Sequence, residues 1–172
     1  ITNPFKGVYI PSGTMEKKRK PIPTETIKKI QTECRSINDD QRILIALISN
    51  SGMRLSEACG LLIGDFQLSE DIPYLELKPH PWRRLKTKSS TRKIPLVGAS
   101  LWAAQRAVLG SQSSFAFPRY CSAQAVKANS ASVAFNKWLG IRVPSGMLDF
   151  HSNSRLTARS AVQQANLFNK II

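Results

Sequence analysis

The chain has 172 residues, 42% of them hydrophobic, which is enough for one domain with a sizeable buried core. Its 25 lysines and arginines against 11 aspartates and glutamates give a formal net charge of +14, so we expect a polyanionic partner, nucleic acid before a membrane surface. No apolar run approaches the length of a membrane-spanning helix, and the first residues lack the pattern of a signal peptide.

Residues 1–23 contain four prolines, two glycines and a basic run, and show neither helical nor strand periodicity. We interpret them as an extended arm or interdomain linker, which is either a solvated tether or an arm that lies along phosphates. The residues of the basic run are Lys17, Lys18, Arg19 and Lys20. Because the chain begins at Ile1 and not at methionine, we expect a fragment of a longer protein.

Three helices are predicted next along the chain. The first covers residues 24–37 with Thr24 as its N-cap, since Ile27, Ile30 and Cys34 fall on one face. The second opens at Asp39 or Asp40 and ends at Gly52. Four apolar residues predict that this second helix is deeply buried, namely Ile43, Leu44, Leu47 and Ile48. The third helix runs over 55–62 and ends at the sequence Gly-Asp-Phe.

The periodicity changes after Ile72. Three alternating segments, 73–79, 83–88 and 91–97, predict a small three-stranded antiparallel sheet. Helices are predicted again over 98–109 and 121–139, and an amphipathic segment ends the chain. Candidate core residues of the helix over 121–139 are Val126, Val133, Phe135 and Trp138. The expected fold class is therefore mainly α with a small three-stranded antiparallel β-sheet.

The cysteines Cys34, Cys59 and Cys121 are odd in number and widely spaced. This pattern suits neither a disulfide framework nor a zinc site, so we expect reduced, mostly buried thiols in a cytoplasmic protein.

Arg54 and Glu57 lie three residues apart at a predicted helix start and so share one face. Taken alone, they could form an ordinary surface ion pair. Alternatively, an arginine at a glycine break, held by a carboxylate, presents a rigid guanidinium fork to a phosphate.

Residues 83–96 are predicted to form a strongly basic hairpin. Its charges either prevent an exposed sheet edge from pairing with another chain or contact DNA. Its candidate DNA-binding residues are Arg83, Arg84, Lys88, Arg92 and Lys93, and Lys86 is singled out because a strand holds it in position. Further along, His151 and Arg155 lie near a predicted helix start. Either His151 is a helix cap or a satisfied core residue, or it forms a second anion site together with Arg155.

These segments, taken in order, resemble the tyrosine recombinases (the phage integrase family). The segment SGMRLSEACGLLIGDF at 51–66 is similar to the family box G-x-R-x-S-E-x-x-x-L-x-x-x-D, and LKTKSSTRKIPL at 85–96 resembles its K-T-x-x-S-x-R-x-x-P-L hairpin. The segments NPFKGV, FPR and DFHS match in the same order. His151 and Arg155 fit the family's H-x-x-R box if one residue is inserted.

The resemblance implies a catalytic domain of the DNA breaking-rejoining fold over 24–172, incomplete at its C-terminus. The implied reaction is metal-independent exchange of DNA strands through a 3′-phosphotyrosyl intermediate, in phage or mobile-element integration. Implied catalytic residues are Arg54, Lys86, His151 and Arg155, with Glu57 in support. No cofactor is implied, and the partner is double-stranded DNA, on which such proteins assemble as tetramers.

The family's nucleophilic tyrosine has no counterpart among Tyr9, Tyr74 and Tyr120. We therefore expect this chain alone to be inactive in covalent strand cleavage. The alternatives are a non-catalytic, degenerate DNA-binding protein derived from an integrase and, less favoured, an unrelated basic RNA-binding protein.

Overall fold

A computed structural model of the chain describes residues 22–85 and 90–143. These residues form a mainly helical structure with one small three-stranded antiparallel sheet, which confirms the predicted class. The elements are α1 (Thr24–Ile37), α2 (Asp40–Ser51), α3 (Leu55–Cys59), a 3₁₀ helix (Ile63–Asp65), β1 (Phe66–Gln67), β2 (Tyr74–Leu77), β3 (Arg92–Pro95), α4 (Gly98–Gly110) and α5 (Ala128–Leu139). Predictions on the arm before residue 22 and on the segment after residue 143 lie outside the described residues.

The second helix, α2, is the centre of the core. Every residue from Ile43 to Ser49 is buried, and the helix packs against α1, α3, α4 and α5. It begins at Asp40 because the Asp39 carboxylate accepts the backbone N–H of Arg42 at 2.9 Å. The predicted opening and the predicted burial of this helix are both confirmed.

The C-terminus of α2 depends on Gly52, which has φ +71° and ψ 9°. This left-handed conformation is available to glycine at little cost, and it turns the chain out of the helix. The prediction for Gly52 is confirmed. The prediction for Thr24 is wrong, because Thr24 is the first residue of α1 and the capping position is Pro23, which makes no side-chain cap.

The sheet has the predicted number of strands but a different membership. Its order is β1-β2-β3, with Leu75 of β2 paired to Phe66 on one side and to Ile94 on the other. The first strand therefore comes from the segment after the 3₁₀ helix. Residues 83–85 were expected to be in a strand, but Arg83 closes a tight turn by exchanging two backbone hydrogen bonds with His80, at 3.0 and 3.1 Å.

Two predicted helices are shorter than expected. The third, α3, ends at Cys59 and not at residue 62, and the chain then enters the 3₁₀ helix. The last, α5, begins at Ala128, because the preceding residues form a bridged turn between Cys121 and Val126. Val133 is 64% exposed and is not a core residue, whereas Phe135 and Trp138 are buried as predicted.

The three cysteines are free and buried, as expected. Burial raises the pKa of the Cys34 and Cys59 thiols to about 12, so both are neutral at physiological pH. Within the described ranges, none of the helices has the length and apolar content needed to cross a lipid bilayer.

Replacing Gly52 with alanine should destabilise the protein by about 1–2 kcal/mol, because an L-residue is strained in the left-handed region. Urea denaturation followed by circular dichroism measures the change in the free energy of unfolding. Gly110→Ala is the matched control, since a Cβ added at Gly110 meets nothing within 4 Å. Equal stability of the two variants would contradict this role for Gly52.

Candidate functional site

The site begins at the sharp connection between α2 and α3. Gly52 turns the chain, and the fully buried Met53 anchors it in the core. Arg54 then adopts extended backbone angles, φ −71° and ψ 150°, as the residue before α3. Glu57, one turn later, accepts the backbone N–H of Arg54 on Oε2 at 2.9 Å. Local sequence therefore fixes the backbone on both sides of the Arg54 side chain.

The Glu57 carboxylate is 2% exposed and is bound by two arginines. Its Oε1 accepts a hydrogen bond from Nη1 of Arg54 at 2.8 Å, and its Oε2 accepts one from Nη2 of Arg92 at 3.2 Å. A buried carboxylate without such partners would be strongly unfavourable. We name this group the Arg54–Glu57–Arg92 cluster. It joins the start of α3 to β3.

The two arginines of the cluster are each 34% exposed, in contrast to the carboxylate between them. Two guanidinium groups and one carboxylate leave a net charge of +1 at a partly open surface. A guanidinium has five N–H donors, and the contacts within the described residues use one from Arg54 and two from Arg92. The cluster can therefore donate hydrogen bonds to an anion from outside.

Arg83 does not fit the prediction that it contacts DNA. Its side chain is among the most deeply buried in the described residues, with 2% of the residue exposed. Its Nη2 donates to Oδ2 of Asp65 at 3.1 Å and to the carbonyl of Lys78 at 2.7 Å, and its Nη1 donates to the carbonyl of Gly60 at 2.9 Å. Burial lowers the pKa of Arg83, while the Asp65 charge acts in the opposite direction. Arg83 is thus an internal tie between β2 and the end of α3.

The surroundings of Arg83 are built to contain it. A Cβ at Gly60 would lie 2.9 Å from Cδ of Arg83, so the absence of a side chain there makes room for the arginine. Trp82 donates its indole N–H to the Gly60 carbonyl at 3.2 Å and stacks on His80 at 4.8 Å between ring centroids. Nε2 of His80 lies 3.5 Å from Oδ1 of Asp65. The alternating sequence of the hairpin could not reveal this burial.

Two further predicted DNA-binding residues of the hairpin lie on the surface. Arg84 is exposed, and Lys93 is exposed on β3 with its ammonium 4.5 Å from the centre of the Tyr74 ring. The structure thus brings together Arg54, Glu57 and Arg92. Outside the described residues lie the predicted catalytic residues Lys86, His151 and Arg155 and the predicted DNA contacts Lys17, Lys18, Arg19, Lys20 and Lys88.

Two ion pairs of the site were not predicted from the sequence. Asp65, which closes the motif at 52–65, was not assigned a role, yet it is the buried partner of Arg83. Arg92 was assigned to DNA but not to Glu57. The fixed position of Asp65 in the motif could have suggested a role, whereas the sequence contains no signal for the contact between residues 57 and 92.

Neither described tyrosine resembles an activated nucleophile. Tyr74 lies on β2 beneath the Lys93 ammonium. Tyr120 is buried, its hydroxyl has no hydrogen-bond partner among the described residues, and burial raises its pKa. An attacking phenolate is disfavoured at that position.

Comparison with family models, with curated proteins and with solved structures gives no match for this chain. Among the described residues, no group of three or more histidine, cysteine, aspartate or glutamate side chains is placed to hold a metal ion. A function must therefore be inferred from the cluster, its charge and the motif that contains it.

Asp65→Asn should destabilise the protein by about 3–5 kcal/mol, because it leaves the buried Arg83 charge uncompensated. Chemical denaturation measures this loss. The control is Asp71→Asn, which removes the same charge from an exposed aspartate and should have almost no effect. A loss below about 1 kcal/mol in Asp65→Asn, as expected of a surface ion pair, would show that Arg83 does not depend on Asp65.

Proposed function

We propose that this chain binds the phosphate backbone of double-stranded DNA through Arg54 and is the catalytic domain of a tyrosine-type site-specific recombinase. The observation that carries the proposal is the buried Glu57 carboxylate, which fixes a partly exposed arginine at the surface. In an ordinary surface ion pair both side chains are exposed, whereas here the Glu57 carboxylate is buried and the Arg54 guanidinium is partly exposed. The motif around Arg54 supports the choice of enzyme family.

The charge of the molecule supports a nucleic acid as the ligand. A formal net charge of +14 raises the local concentration of a polyanion and speeds its association. Exposed cations in the hairpin region, Arg84 and Lys93, add to this field. A duplex is favoured over RNA because the motif resemblance is to enzymes that act on duplex DNA.

In the proposed reaction, a tyrosine hydroxyl attacks the phosphorus of a DNA phosphodiester. A bond forms between the tyrosine oxygen and phosphorus, and the bond to the 5′-oxygen breaks. Negative charge grows on the non-bridging oxygens, and Arg54 is placed to donate hydrogen bonds to them. Because Glu57 holds Arg54 beforehand, little reorganisation is needed when this charge develops.

Besides the attacking tyrosine, three further residues take part in the proposed mechanism, and all three lie outside the described residues. Lys86 donates the proton to the departing 5′-oxygen, His151 assists proton transfer at the attacking oxygen, and Arg155 supplies the second arginine. Because each transesterification conserves the phosphodiester energy, strand exchange needs no nucleotide. Such a protein acts on cytoplasmic, nucleoid-associated DNA, in phage or mobile-element integration, as a tetramer on its target.

The second candidate is a DNA-binding protein without strand-exchange activity. The burial of Tyr120 favours it, because that tyrosine cannot reach a bound phosphate without leaving the core. The two candidates share the Arg54 site and differ only in the covalent step. With a nicked suicide substrate, this chain alone should trap no adduct under either candidate. The same assay on a protein in which a nucleophilic tyrosine accompanies this chain separates them, since only the recombinase then forms a covalent protein–DNA adduct.

Arg54→Gln should weaken binding of a short fluorescein-labelled DNA duplex by about tenfold, because one charge-assisted contact is lost. Fluorescence anisotropy over a salt series should also show the slope of log affinity against log salt decreasing in magnitude by about 1.

Arg106→Gln is the control for this experiment, since it removes the same charge from an exposed arginine on α4 that bonds Asn38. Equal losses in the two variants would mean that net charge alone drives binding, and the Arg54 site would be wrong. Tighter binding to a duplex RNA of the same sequence would favour an RNA-binding protein instead.

A further inference from the structure

We infer that Arg92 is a second phosphate-binding residue of this site, so that Arg54 and Arg92 hold one backbone phosphate between them. This inference rests on the proposed DNA-binding function and states which two residues hold the phosphate. It differs from a role of Arg92 as a general basic residue of the hairpin, because it requires both arginines to contact the same anion.

The convergence of the two guanidinium groups follows from their shared partner. Arg54 binds Oε1 of Glu57 and Arg92 binds Oε2, at 2.8 and 3.2 Å. Only one carboxylate and two hydrogen bonds therefore separate the two cations. A tetrahedral phosphate oxyanion presents several acceptor oxygens and can bridge two guanidinium groups that lie this close.

The charge balance of the cluster also favours an external anion. Without Glu57, the two adjacent cations would repel each other. With it, one positive charge is compensated and one remains, at side chains that are each 34% exposed. Because the carboxylate is buried and the cations are not, an anion that approaches from solvent meets the guanidinium groups first.

Arg92 is held in place before any ligand binds. Its Nη1 donates to the carbonyl of Ser90 at 2.8 Å, while Nη2 donates to Glu57. Its backbone lies in β3, where it pairs with Leu77 of β2. A guanidinium fixed at two points on a strand loses little conformational entropy on binding, which favours a specific contact.

The adjacent residue, Lys93, shows the difference between a specific and a diffuse cation. Successive side chains of a strand point to opposite faces, so Lys93 does not share the face of Arg92. Its exposed ammonium lies on the Tyr74 ring and not on a carboxylate. Of these two neighbours, Arg92 alone has the fixed geometry of a phosphate ligand.

A double-mutant cycle tests the inference, with Arg54→Gln, Arg92→Gln and the double variant binding a fluorescein-labelled duplex over a salt series. If both arginines hold one phosphate, each single variant should weaken binding about tenfold, and the double variant should lose less than the product of the two single losses, because the shared phosphate contact is lost only once; the full product would mean two separate phosphates and would overturn the inference. Arg106→Gln is the charge-matched control. An unchanged affinity of Arg92→Gln overturns the inference, and so does an effect of Arg92→Gln that disappears in the Arg54→Gln background, since Arg92 would then only position Arg54.

Arg92→Lys provides a second measurement if Arg92→Gln does not fold. Lysine keeps the charge but cannot donate to Ser90, Glu57 and phosphate with the planar geometry of arginine. The variant should therefore bind the duplex several-fold more weakly than the wild type, and wild-type affinity would overturn the inference. The proposed function fails separately, if the wild-type protein shows no salt-dependent duplex binding or if Arg54→Gln has no effect.

Discussion

The buried carboxylate of Glu57 is the constraint on which the candidate site depends. Its charge is stable inside the protein only because two guanidinium groups and a backbone N–H bind it. The same contacts determine where those guanidinium groups can lie. Burial of the acid thus creates an ordered, positively charged surface in a molecule whose net charge is already strongly positive.

The rest of the fold keeps the elements of the cluster together. The buried helix α2 ends at Gly52 and delivers Arg54 to the surface, while β3 delivers Arg92. Arg83 ties the end of β2 to the end of α3 from inside, through the carbonyls of Lys78 and Gly60. One arginine of the hairpin region therefore supports the structure, and another faces the proposed ligand.

Local features of the structure could be predicted from the sequence, and long-range contacts could not. The burial of α2 follows from its apolar residues, and its ends follow from Asp39 and Gly52, whose effects act within a few residues. The approach of Arg54 to Glu57 is also local. The contact of Glu57 with Arg92 spans 35 residues, and periodicity carries no information about such a pair.

The errors in the sequence-based predictions have the same origin. Arg83 lies in a basic segment typical of an exposed hairpin, so only the tertiary positions of Asp65 and Gly60 show that it is buried. The first strand was missed because Phe66–Gln67 is too short to show alternation. Val133 is not in the core because it lies about 200° around α5 from the buried Phe135, so these two predicted core residues cannot share one face of the helix.

The most direct test of the site is the affinity of Glu57→Gln for a DNA duplex, measured by anisotropy at fixed salt with folding checked by circular dichroism. The substitution raises the formal net charge from +14 to +15, so charge alone predicts tighter binding. Loss of the carboxylate that orders both arginines predicts weaker binding. Glu25→Gln, an equal charge change at an exposed residue of α1, is the control and should bind at least as tightly as the wild type. Weaker binding by folded Glu57→Gln alone supports the site, and binding as tight as that of Glu25→Gln contradicts it.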